Sequence, residues 1–172
     1  SAPPRWSSEN WLMTPSRSGS SHLDMHIHDT DFIIHLLGMP KQVITEGTEN
    51  EFGIMYTNTR YVYNDGQRVM AEGGWDLSYS SPFRATFLVC LEQATIEWNP
   101  SVGPLKVYPM EGEPFTPEIP EGAGYQYEIA YLLDCIERGV QPSTVTPFDA
   151  RESVRVIFAE AESLRTKAPV AL

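Results

Sequence analysis

Apolar residues crowd the stretch from His22 to Leu37, which stops at Gly38-Met39-Pro40. Gly38 can cap a helix with positive φ, and Pro40 blocks its continuation. Ser20 or Ser21 is expected to supply the N-cap. The pattern therefore predicts a helix from about Ser21 to Leu37. From Lys41 to about Met110 the pattern changes to short runs rich in β-branched and aromatic residues: KQVITEG, TRYVY, QRVMAEGGW, FRATFLVCL, ATIEW and LKVYPM. In the fourth run Phe83, Ala85, Phe87, Val89 and Leu91 alternate with Arg84 and Thr86, as on a strand with one face more buried. Asn64-Asp65-Gly66 reads as a hairpin turn between two runs.

A Pro/Gly-rich loop, EGEPFTPEIPEGAG, leads to two more helical patterns. In the first, Ile129, Leu132, Leu133 and Ile136 share a face and Gly139 stops it. The second opens with Thr146 as N-cap and Pro147 at the first helical position. Its stripe is Ala150, Val154, Ile157, Ala161 and Leu164. The order of helix, strands and helices predicts an α+β fold, an open and mostly antiparallel sheet with helices on one face. Residues 1–21 read as an irregular lead-in ordered by Trp6 and Trp11, and residues 22–172 as a single domain.

Length and charge narrow the function. A chain of 172 residues suits one sizeable core. The formal net charge of −11 argues against nucleic acid and against anionic membrane surfaces. No apolar run approaches membrane-spanning length. Cys90 and Cys135 stand far apart with no C-x-x-C, as in a cytoplasmic protein with reduced thiols.

The candidate chemistry lies in LDMHIHD, Leu23 to Asp29. It resembles the D-x-H-x-H strand of metal-dependent amidohydrolases. On a strand, His22, Asp24, His26 and His28 would face one side and grip a metal. On a helix at about 100° per residue, Asp24, His28, Asp31 and His35 form one narrow stripe on an otherwise apolar surface. Such a stripe needs partners or a cavity. All four histidines lie between 22 and 35. No later imidazole can complete a hydrolase centre, so no metal site is expected.

The run SGSSHLDMHIHDTDFIIHLLGMP resembles the signature of the glucose–fructose oxidoreductase/inositol dehydrogenase/MocA family in its C-terminal domain. Asp24, His28, Asp29 and Asp31 match its acid–x3–His–acid–x–acid pattern, and weaker similarity runs from about residue 11 to 172. The resemblance implies a substrate-binding and oligomerisation domain. It implies His28 as general acid–base, Asp24 orienting it, and Asp31 and His26 meeting a sugar or cyclitol substrate. His22 and His35 read as structural. NAD or NADP would bind an N-terminal Rossmann domain that this sequence lacks, so the isolated chain is expected to be inactive. The resemblance also implies a homo-oligomer through the open sheet face. The alternative is a non-catalytic binding or oligomerisation domain of the same fold.

Overall fold

A computed structural model describes residues 1–64, 66–122 and 124–172. These residues gather into two compact units, residues 1–82 with 143–172, and residues 83–142. In the first unit, β1 (Gln42–Asn50), β2 (Gly53–Val62), β3 (Arg68–Gly74) and β7 (Val170–Ala171) form an antiparallel sheet in the order β3-β2-β1-β7. The turn expected at Asn64-Asp65-Gly66 includes Asp65, which lies outside the described residues; the strands on either side pair as a hairpin. The stretch Gly53–Thr57 also belongs to β2, although its mixed pattern did not suggest a strand.

The register decides which side chains face the helices. Val43 stands opposite Tyr61 and Thr45 opposite Thr59, so these four share one face. All are buried there. The opposite face carries Glu46, Arg60, Met70 and Glu72, all exposed. On the covered face lie α2 (Ile27–Leu37) and the long α4 (Pro147–Thr166), which pack on each other and on the strands. Ile33, Val43, Tyr61, Val156 and Ala159 form the core between them. Each large apolar side chain fully buried there contributes about 1.5–3 kcal/mol.

α4 begins as its sequence predicts. Thr146 Oγ1 accepts from the Asp149 backbone N–H, and the Asp149 carboxylate accepts from the Thr146 N–H at 2.8 Å. Its buried face keeps Ile157 and Ala161 of the predicted apolar stripe but is otherwise different. Ala150 is exposed, whereas Glu152, Ser153, Glu160 and Ser163 are buried beside Val156, Ile157 and Ala161. The helix is turned by the need to aim polar groups at a threonine-rich sheet. Thr45, Thr57 and Thr59 lie beneath it, and Ser163 Oγ accepts from the Thr45 N–H at 3.0 Å.

The lead-in is more ordered than its composition suggests. Ser8–Met13 form a 3-10 segment and Pro15–Ser18 a short turn of helix, α1. Leu12 and Met13 pack with Met55 and Trp75, while Trp6 is 82% exposed. Apolar contact by the leucine and methionine, rather than Trp6, anchors this segment.

The second unit holds a three-stranded antiparallel sheet, β4 (Phe87–Cys90), β5 (Ala94–Trp98) and β6 (Lys106–Pro109), and the helix α3 (Gly124–Arg138). The predicted alternation from Phe83 yields a strand only from Phe87. Gly139, at φ 65°, ends α3 as predicted, with its N–H donating to Ile136 and the Val140 N–H to Cys135. The predicted stripe Ile129, Leu132, Leu133 and Ile136 is at least half exposed, and Cys135 is the buried residue of the helix.

Candidate functional site

The helix predicted from Ser21 to Leu37 is present, but its first turn is wound differently. His22–His26 form a π-turn, closed by the Ile27 N–H donating to the His22 carbonyl, before α2 continues. The serines do not cap it. Ser21 Oγ donates to the Ile54 carbonyl at 2.6 Å, and Ser20 Oγ accepts from the Ile54 N–H at 3.1 Å. They sew the start of the helix to β2 instead. Gly38, at φ 75°, follows the last turn, and its N–H donates to Ile34.

Asp24 and His28 sit one turn apart on this helix. Asp24 is half-buried and His28 exposed. Burial raises the Asp24 carboxyl above its ordinary range, and the charge of His28 partly offsets that rise. The pair therefore shares a face and an electrostatic environment. Asp31 is held by α4, since Ser153 Oγ donates to its carboxylate at 2.5 Å. His35 is exposed near the end of α2.

His26 turns the other way and is wholly buried. Its Nε2 donates to Glu160 Oε2 at 3.0 Å, and its Nδ1 faces Asp29 Oδ2 at 3.5 Å. Burial alone would lower the imidazole's pKa; the carboxylates of Asp29 and Glu160 outweigh it and push it up to about 9. His22 stacks on His26 with ring centres 5.5 Å apart. It donates from Nε2 to the Ile157 carbonyl at 2.8 Å and stands 4.0 Å from Glu160 Oε2. Burial lowers its pKa, so His22 is the neutral member of the pair. Its Nδ1 is buried without a partner.

Glu160 is the residue the sequence does not single out. Thr30 Oγ1 donates to one of its oxygens at 3.0 Å and Thr59 Oγ1 to the other at 3.1 Å. Tyr61 joins through its hydroxyl, 2.9 Å from Thr30 Oγ1. Burial and then the charge of Glu160 push the Tyr61 phenol well above its ordinary pKa, keeping it protonated. Gly73 makes room for this assembly. A Cβ there would lie 3.1 Å from both Asp29 Oδ2 and His26 Nδ1.

Two hollows lie in this unit. One, of about 600 Å³, is bordered by Arg151, Arg155 and Phe158 on α4. The other, of about 220 Å³, is bordered by His22, Leu23, Ile54, Ile157 and the Glu49–Arg165 ion pair. Neither is lined by Asp24 or His28.

No family model and no curated protein matches the chain. Solved structures do. An aldose–aldose oxidoreductase from Caulobacter crescentus, complexed with glycerol, matches at 18% identity with a TM-score of 0.80, over 94% of this chain and 50% of its own. The chain has the fold of one half of that structure. A UDP-N-acetylglucosamine 3-dehydrogenase from Acidithiobacillus ferrooxidans matches at 14% identity with a TM-score of 0.70, over 84% of this chain and 47% of its own. The chain thus spans about half the length of the structures it matches. This is the fold implied by the resemblance to the glucose–fructose oxidoreductase/inositol dehydrogenase/MocA family.

Proposed function

We propose that this chain is the substrate-binding part of an NAD(P)-dependent oxidoreductase acting on a secondary alcohol of a sugar, polyol or cyclitol. The observation that carries this is the Asp24/His28 pair on one helix of an oxidoreductase-like fold. An exposed imidazole one turn from a carboxylate suits removal of a hydroxyl proton. His28 accepts that proton as the alcohol becomes a ketone, and Asp24 orients the imidazole and stabilises its charge. Asp31, steadied by Ser153, binds a neighbouring hydroxyl. His26 acts from behind, holding the first turn against Glu160.

The nicotinamide would accept the hydride. Placing it in another domain is supported by the strands among the described residues, which pair antiparallel, whereas a dinucleotide fold needs a parallel βαβ unit. Gly122 and Gly124 follow a loop rather than a strand. The cofactor therefore belongs to a domain outside this sequence, and the chain alone should neither bind NAD(P)H nor turn over.

The hydrogen bond that occupies Asp31, and the absence of Asp24 and His28 from both hollows, favour a second reading, a binding or oligomerisation domain without catalysis. A screen of the cofactor-binding parent protein against aldoses, polyols and inositols, with NAD and NADP, separates the two. The enzyme reading expects turnover that His28→Ala lowers by roughly 10²–10⁴-fold. Turnover indifferent to His28, or none with any alcohol, would sink it.

A further inference from the structure

His22, His26 and Glu160 form a cluster that the alcohol chemistry does not use. All three are buried, and one nitrogen of each imidazole and one carboxylate oxygen lie within 4.8 Å of one another. We propose that this cluster binds a divalent first-row metal ion of the zinc class. Two imidazoles and a carboxylate are a ligand set such ions take. The proposal does not rest on the oxidoreductase reading.

The surroundings are those of a ligand set held in place. Metal-binding histidines usually donate their second N–H to a carboxylate or a backbone carbonyl. His26 has the Asp29 carboxylate 3.5 Å from its far nitrogen. Both Glu160 oxygens are oriented by threonine hydroxyls. A closed structural core pairs its buried polar atoms, yet Nδ1 of both His22 and His26 is buried without a hydrogen bond. His22 Nε2, the nitrogen 4.0 Å from Glu160, would turn from the Ile157 carbonyl to the ion and leave Nδ1 to carry the proton.

The present spacing is near what an ion needs. Ligand atoms about 2.0–2.2 Å from a tetrahedral ion stand roughly 3.2–3.6 Å apart. The 3.0 Å contact from His26 to Glu160 would open slightly, and the 4.0 Å separation from His22 would close. Tyr61, with its hydroxyl 3.4 Å from His26 Nε2, offers a further oxygen. Entry is provided by the smaller hollow, whose wall includes His22 and Ile157.

The 172-residue chain, stripped with chelator, should be titrated with zinc chloride by calorimetry and with cobalt(II) chloride by visible absorption. One equivalent of each is expected to bind. Asp29→Asn lies at the surface and should weaken binding about 10–100-fold, the usual cost of losing such an outer partner. His22→Phe should abolish it, and His35→Ala should leave it unchanged. Absence of saturable zinc binding to the wild type overturns the proposal. So does binding that both Asp29→Asn and His22→Phe leave intact, or that His35→Ala removes. If His22→Phe does not fold, X-ray absorption of the zinc-loaded wild type decides. Two imidazoles around the ion support the site, and a shell of oxygens alone overturns it.

Discussion

At the scale of single residues, the interior is governed by one carboxylate. Glu160 receives Thr30, Thr59 and His26, and each loses one contact if the side chain is cut back. Removing one member of a buried charged pair typically costs 3–5 kcal/mol. Glu160→Ala should therefore lower unfolding stability by about that amount in chelator-treated protein, measured by urea denaturation. A loss under about 1 kcal/mol would mean that the cluster is already wet or loose. That Asp24, His28 and Asp31 stand on one helix was legible in the sequence, because a helix puts its own neighbours together. Glu160 was not, because a lone glutamate in a helix reads as solvated, and its partners His26 and Thr30 lie 134 and 130 positions away.

Secondary-structure elements show the same division. The helix after Ser21, the hairpin and the capped start of α4 follow local rules, and the structure contains them. What local rules missed was the face each element buries. α4 was read from its apolar residues, whereas its contact with the sheet is half polar because the strands beneath offer threonines. Near the other end of α4, Arg165 grips Glu49 beside the bulge of β1, with an N–O distance of 2.6 Å. The hydrogen bond from Arg165 holds the Glu49 carboxyl below its ordinary 4.5, against the opposing effect of burial. A depressed folded-state pKa adds stability above the unfolded value and loses it as pH falls through the folded one. Thermal melts of wild type and Arg165→Ala should thus differ near neutrality and converge as pH falls through the depressed Glu49 pKa. Both side chains are partly exposed, so the neutral difference should stay within about 1 kcal/mol. A gap that widens on acidification would contradict this origin.

For the whole molecule, stability should be uneven. Among the described residues, the unit of residues 83–142 has Cys135 as its buried side chain, while the other buried residues belong to the unit built around β1 and β2. Few buried contacts mean cheap local opening. Hydrogen exchange followed by mass spectrometry should show β4–β6 and α3 exchanging well before β1 and β2; equal protection throughout would show a core shared by both units. The uncovered face of the four-stranded sheet is proposed to pair with a second copy, with Met70 exposed on its edge strand β3. Light scattering at high concentration should then give a dimer or larger, and Met70→Glu should shift it toward monomer. Strictly monomeric wild type at all concentrations would count against that face. Charge and apolar runs allowed a class of fold and partner to be read, but not this uneven distribution, which depends on which apolar residues find neighbours.

The π-turn at His22–His26 has a bearing on chain length. A helix closed five residues back instead of four holds one residue more than a regular turn, as an inserted residue would leave it. Deleting a single position there, such as Met25, would let the helix wind regularly and remove the irregular hydrogen bonding. It would also swing everything upstream by about 100°. Leu12, Met13, Ser20, Ser21 and His22 could not all keep their present partners. The extra residue thus acts as a spacer: it allows the lead-in to be stitched to β2 while His26 still points at Glu160. Chains of the same fold that are one residue shorter at this point would have to build the beginning of this helix, and whatever lies against it, in another way.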